Sequence, residues 1–320
     1  MRLFPKSVLA SWDYFVALGL WGVYAVIGPG EDFIGYRLWV LDPSRYTQNV
    51  GVFSPAWLAP ILAPFATMPG RAGYIVYLGL LVNLLVYSVR KWGGAKGVVL
   101  LSAQMFWMLW WGQIDILAIC GLVLGWQSLE KDDWKLLTLA MVLATIKPQI
   151  GVIPIALIWW WSGPGRWKAL GVFAGIALAS LVIWGPWPLW VLESTREFVA
   201  GRTFGPWNTS LGPWALPLFF PALLIPLPRF ERLRVVIATT LLISPYMPYY
   251  STLILLCFPL PAWLYVFAVT GYFPSLIGTQ LAWNAIVFLP IGVLLWTYIP
   301  WVIRRLKHEK ESTTRKTLRG

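Results

Sequence analysis

The chain has 320 residues, of which 58% are hydrophobic and 12% charged, against roughly 25% charged in a soluble domain. That composition excludes a water-soluble globular fold and points to a bilayer, where every backbone polar group must be satisfied inside helices or closed barrels. The formal net charge of +12 does not mark a nucleic-acid binder, because the basic residues sit in short loops and in the 304–320 tail, as cytoplasmic loops beside anionic lipid do.

The apolar runs are continuous rather than alternating, so the expected class is all-α and not a β-barrel. Many of the 23 tryptophans flank these runs, as an interfacial belt requires. Cys120 and Cys257 lie inside apolar segments and read as buried small hydrophobes.

Residues 11–27 form the first expected span. Arg2 and Lys6 precede it as in a signal peptide, but Asp13 interrupts its start and no small-x-small cleavage site follows, so it reads as a retained helix. Residues 28–54 are polar and hold Glu31, Asp32, Arg37, Asp42 and Arg45. Residues 56–66 are apolar but too short to cross, and Pro55, Pro60, Pro64 and Pro69 predict a re-entrant or interfacial helix there. Further spans are expected at 73–89, 98–111 and 114–129, the last two joined only by Gly112 and Gln113. A tight pair, 136–146 and 150–161, is joined at Lys147, Pro148 and Gln149, and the next span ends near Trp184. A second polar stretch covers 185–213, 214–227 is apolar, 235–243 leads to Ser244-Pro245, and two to three spans occupy 251–302.

Lys6, the 90–96 cluster, Arg166 with Lys168, the 229–234 cluster and the 304–319 tail belong in the cytoplasm. The opposite face then receives 28–54, 112–115, 147–149, 185–213 and 245–250. The expected architecture is a polytopic helical bundle of ten to twelve transmembrane helices. It has one membrane domain, 1–303, and a basic cytoplasmic tail, 304–320, without regular structure. Both termini are expected in the cytoplasm of a prokaryotic-type plasma membrane, with the active site facing outside.

The outer set holds most of the unusual polar residues. Asp32 stands where the first helix leaves the bilayer and has the chemistry of a general base toward a hydroxyl, or of an ordinary loop acid beside Glu31. Asp115 opens an apolar helix and Lys147 lies between two apolar runs. Ionisable groups at such depth face a cavity or a partner. Lys147 can hold a phosphate as a point charge, snorkel to the interface, or pair with Asp115. Asp13 reads as a helix-start residue. His308 is the only histidine and lies in the tail, which removes histidine catalysis and histidine metal sites. Asn208-Thr209-Ser210 matches a glycosylation sequon.

Several short stretches together resemble the glycosyltransferase 87 family, the polyprenyl-phosphate-mannose-dependent mannosyltransferases of the GT-C superfamily. They are the early acid Asp32; Tyr46, Ser54-Pro55, Pro64 and Pro69; Gly112-Gln113-Ile114-Asp115; Ala144-Thr145-Ile146-Lys147-Pro148; Asn208-Thr209-Ser210-Leu211; and Ser244-Pro245 before Tyr249-Tyr250. The resemblance spans about residues 30–250. It implies a GT-C-like fold, an external site and an inverting transfer from a polyprenyl-phosphate-sugar donor to a lipid-linked or cell-envelope acceptor. It makes Asp32 the base and Lys147 a donor-phosphate ligand, with Gln113 and Asp115 lining the site and Arg37 or Arg202 helping to steady the phosphate. Asn208 and Tyr249 join the substrate-binding set. The chain departs from the family pattern at Asp115, where Asn is commoner, and at Pro248 or Tyr249, where a histidine is frequent. Besides donor and acceptor, membrane lipids are the expected partners. No cofactor is required, and no ligand spacing demands a divalent metal. The alternative is a transporter or lipid flippase, which calls for polar residues on both sides of the midplane and for repeats.

Overall fold

The computed structural model describes residues 12–42, 54–69, 71–200, 208, 210–272 and 285–317. Among them there is no β-strand, and the protein is an all-α membrane protein. In chain order the helices are α1 (Trp12–Ile27), α2 (Glu31–Leu41), α3 (Leu58–Ala66), α4 (Ala72–Trp92), α5 (Lys96–Leu100), α6 (Ala103–Trp111), α7 (Asp115–Lys131), α8 (Trp134–Ala144), α9 (Pro148–Trp161), α10 (Arg166–Trp184), α11 (Trp187–Ala200), α12 (Phe219–Leu224), α13 (Arg229–Ile243), α14 (Leu253–Leu256) and α15 (Phe288–Thr317). Short 3₁₀ turns lie at Gly212–Leu218, Tyr249–Thr252, Ala262–Ala268 and Thr270–Tyr272.

Helix α7 is the hub. Nearly every side chain from Asp115 to Val123 is buried, and α4, α8 and α9 all pack on it. Helix α1 lies on α4, α2 pairs with α3, α10 leans on α8, and α13 bridges α9 to α15.

Among the described residues, only α4 and α10 are single helices long and apolar enough to cross a membrane, while α6 and α7 qualify jointly across a bend of 118°. The expected ten to twelve helical crossings are therefore matched by many helices but few long ones, and the difference lies in the breaks. The run 98–111 divides at Ser102, whose hydroxyl accepts from the Met105 backbone nitrogen at 3.1 Å and starts α6 afresh. The run 214–227 follows Pro213 and carries Pro217 and Pro221, and these three remove backbone donors at four-residue intervals and leave a 3₁₀ turn plus six residues of α12. Conversely, the polar stretch after the first span contains α2, with Glu31 and Asp32 in its first turn, where negative charge suits the helix dipole.

Helix α15 runs on to Thr317, taking in most of the basic segment. From Arg304 to Thr317 there is neither Gly nor Pro, and Arg, Lys, Leu and Glu are good helix formers.

Two bare backbones allow α7, α8 and α9 to meet. A Cβ on Gly121 would collide with the backbone nitrogen of Ala144, and one on Gly151 with the carbonyl oxygen of Ala144. Gly151→Ala should therefore lower the thermal unfolding midpoint in detergent, at a cost of about 1–3 kcal/mol for overpacking. Gly175→Ala, in open space on α10, should leave the midpoint unchanged or raise it slightly. Equal midpoints for the two variants would mean that this contact does not constrain the bundle.

Candidate active site

Three chain breaks meet at one end of the bundle. The first is Gly28–Gly30. A Cβ on Gly30 would run into the backbone of Trp110 and Trp111, so the turn that starts α2 rests directly on the end of α6. The second is Gly112–Ile114. Gly112 has φ +74°, which only glycine adopts freely, and it ends α6 with the Gln113 nitrogen bonded to the Met108 carbonyl at 2.9 Å. The hydroxyls of Tyr74 and Tyr77 donate to the Leu109 and Gly112 carbonyls at 2.9 and 3.1 Å and hold this break from the side of α4. The third is Ile146–Pro148. Pro148 occupies the first position of α9 and keeps Lys147 out of the helical region, so the lysine leaves the helical path as its side chain enters the core.

Four of the expected residues come together here. The Gln113 Nε2 donates a short hydrogen bond to Asp32 Oδ2. The Gln113 Oε1 accepts from Lys147 Nζ at 2.8 Å. Lys147 Nζ also lies 3.3 Å from Asp115 Oδ2. That oxygen accepts no hydrogen bond, so the pair is held by charge alone, while Asp115 Oδ1 accepts from Ser251 Oγ at 2.5 Å. Lys147 is 8% exposed and Asp115 fully buried, so the two charges interact across protein rather than water.

Asp32 is half-buried at the rim. Burial pushes its carboxyl up to about 6, against the opposing pull of the Lys147 ammonium and the Gln113 amide. A carboxyl in that range is ionised at neutral pH and basic enough to take a proton from a hydroxyl positioned beside it.

Other expected residues fall elsewhere. Arg37 lies five residues after Asp32, which turns it about 140° around a helix of 3.6 residues per turn. Its Nε donates to the Ala66 carbonyl at 3.0 Å and an Nη to the Met68 carbonyl at 3.2 Å, tying α2 to the end of α3. Asn208 is buried. Its Nδ2 donates to the Pro245 carbonyl at 3.2 Å, and its Oδ1 accepts from the nitrogens of Ser210 and Met247 at 3.2 and 3.1 Å. It shapes the Ser244–Met247 turn, and its burial and engaged amide oppose glycosylation at the sequon. Tyr249 is buried, edge-on to Trp107 and Tyr250 with centroids 6.3 and 5.4 Å away. Arg202 and Tyr46 lie outside the described residues.

Two members of the cluster were missed. Tyr36 donates to Gln113 Oε1 at 3.4 Å, and its i+4 spacing from Asp32 was a usable signal once α2 was known to be a helix. Ser251 had no signal beyond its nearness to Tyr249-Tyr250. Among the described residues no three His, Cys, Asp or Glu side chains are placed to share a metal ion.

Beside the cluster a groove of about 430 Å³ runs between α9, α11 and α13. Its lining includes Pro148 and Gln149, which follow Lys147 in the chain, and is chiefly apolar atoms of residues such as Val152, Ile153, Val191 and Ile243, with Pro245 and Tyr246.

The family model described as Glycosyltransferase family 87 matches residues 54–244. No curated protein and no solved structure matches the chain. The matched segment takes in Gln113, Asp115, Lys147 and all three helices that wall the groove, and it begins after Asp32. As the match extends over more than half of the chain, the chain belongs to glycosyltransferase family 87 and is a membrane glycosyltransferase.

Proposed function

We propose that the chain transfers a sugar, mannose on the family resemblance, from a polyprenyl-phosphate donor to a hydroxyl of a lipid-linked or cell-envelope acceptor on the non-cytoplasmic face. The observation that carries this reading is that an acid and a cation brought from distant parts of the chain are bonded to the two ends of one amide, Gln113, at the head of an apolar groove. A soluble nucleotide-sugar enzyme needs no such groove beside its cation, whereas a donor on a lipid chain does.

In this reaction the isoprenoid chain lies along α9, α11 and α13 with its phosphate at Lys147. The acceptor oxygen attacks the anomeric carbon from the side opposite the phosphate and inverts it. The bond from that carbon to the phosphate oxygen breaks, its electron pair leaves with polyprenyl phosphate, and the acceptor proton passes to Asp32. Lys147 stabilises the charge that grows on the leaving phosphate, an effect that counts most where water is excluded. Asp32 and Lys147 stand on opposite sides of Gln113, so deprotonation and departure occur at separate points of one site.

Asp32→Asn should lower kcat about 10²–10⁴-fold, the usual worth of a general base, and Lys147→Ala should lower kcat as well as raise KM for the donor, both followed as transfer from polyprenyl-phosphate-mannose in nanodiscs. Wild-type rates in both variants would overturn the assignment.

The pH profile gives an independent check. A base whose carboxyl titrates near about 6 works only when ionised. The wild-type kcat/KM should therefore rise with pH through about 6 and level off above it, falling tenfold per unit on the acid side. The residual activity of Asp32→Asn should lack this acid limb. A limb unchanged in the variant would place the titrating group elsewhere.

A further inference from the structure

Ser251 has no part in the reaction described above, yet it bonds a fully buried charge of the cluster. It is fully buried in the 3₁₀ turn Tyr249–Thr252, and its hydroxyl donates to Asp115 Oδ1 at 2.5 Å. Asp115 is itself fully buried, and its other oxygen has only the Lys147 ammonium at 3.3 Å. The cation is thus shared between Gln113 Oε1 at 2.8 Å and a carboxylate, before any substrate is present.

This sharing poses a problem for a phosphate site. A buried carboxylate with no other partner would hold the ammonium tightly, because an uncompensated buried charge is costly. A phosphate arriving at Lys147 would have to leave that carboxylate bare. Two features lessen the cost. Asp115 is the first residue of α7, where the helix dipole favours a negative charge. Ser251 gives it a charge-assisted hydrogen bond, about twice as strong as a neutral one.

We propose that Ser251 is a positioning residue of the phosphate site: by holding Asp115 as the resting countercharge of Lys147, it lets the ammonium turn to a phosphate without stranding the carboxylate. The role rests on the donor reading given above. Without Ser251, Asp115 draws Lys147 more strongly and phosphate binding weakens. With Asn at position 115 there is no charge to manage, and Ser251 ceases to matter for binding. An Asn side chain still accepts the serine hydrogen bond, so any purely structural tie between the Tyr249–Thr252 turn and α7 survives that change.

The test uses the full chain in nanodiscs with polyprenyl phosphate as the probe. Its Kd is measured for wild type, Ser251→Ala, Asp115→Asn and the double variant, and thermal unfolding is followed in parallel. Ser251→Ala should weaken binding about tenfold, within the range expected for a hydrogen bond to a charged group. Asp115→Asn, which removes the competing carboxylate, should bind more tightly than wild type, and the double variant should match Asp115→Asn. A wild type that binds no polyprenyl phosphate overturns the donor reading and this role with it. A wild type and Ser251→Ala that bind equally overturn the role of Ser251 alone. So does a serine effect of equal size in both backgrounds, which would mark Ser251 as a structural tie.

Discussion

The site depends on the orientation of one primary amide. Gln113 has an acceptor end and a donor end, and its surroundings allow only one arrangement. Lys147 and Tyr36 donate to Oε1, and Asp32 accepts from Nε2. Reversing the amide would set its NH₂ against an ammonium and its oxygen against a carboxylate. Gln113 therefore separates Asp32 from Lys147 by the width of an amide while bonding both, so the acid and the cation stay close without neutralising each other. A shorter residue here would let them collapse into an ordinary ion pair.

That amide can be so placed only because the chain breaks before it. Gly112 takes a backbone conformation that a side chain would strain, and a Cβ there would press on Phe33 of α2 at 2.7 Å. The same glycine thus turns α6 into α7 and admits the helix that carries Asp32. Two tyrosine hydroxyls from α4 donate to carbonyls at the break, that of Gly112 and that of Leu109, which also accepts from the Gly112 nitrogen, in keeping with the rule that non-helical backbone at membrane depth must be satisfied by protein.

The parts of this arrangement that were legible in the sequence are those where polarity interrupts an apolar run. Asp115 and Lys147 stand out because each lies where hydrocarbon is expected, and the break residues Gly112 and Pro148 adjoin them. Counting basic loops placed Asp32, Gln113, Asp115 and Lys147 on one face, and the structure joins all four through hydrogen bonds and an ion pair. Hydropathy is blind to direction, however. It located a polar stretch after the first span but not the helix within it, so Arg37 and Tyr36 could not be assigned to different faces of α2. The same blindness hid the role of Asn208, whose side chain serves three backbone groups of its own loop and of the Ser244–Met247 turn. Such a clasp has no composition of its own. Nor does hydropathy show where the apolar runs break, since an apolar average does not register a serine cap or prolines spaced four apart.

Charge balance gives the arrangement its chemical sense. The cluster holds two carboxylates and one ammonium, an adverse setting for a phosphate if all three charges acted together. They do not act together. Asp115 sits behind Lys147 in the protein, with Ser251 and the start of α7 to sustain its charge, while Asp32 sits at the rim, where burial has already raised its affinity for a proton. In the proposed reaction the donor phosphate brings further negative charge toward Asp32 and raises that affinity again. The carboxylate thus becomes a stronger base once the donor is in place, and the proton it then takes removes the charge that would oppose the growing charge on the leaving phosphate. A chain without a histidine at the site can couple the two events in this way through one lysine, one amide and two acids in unequal surroundings.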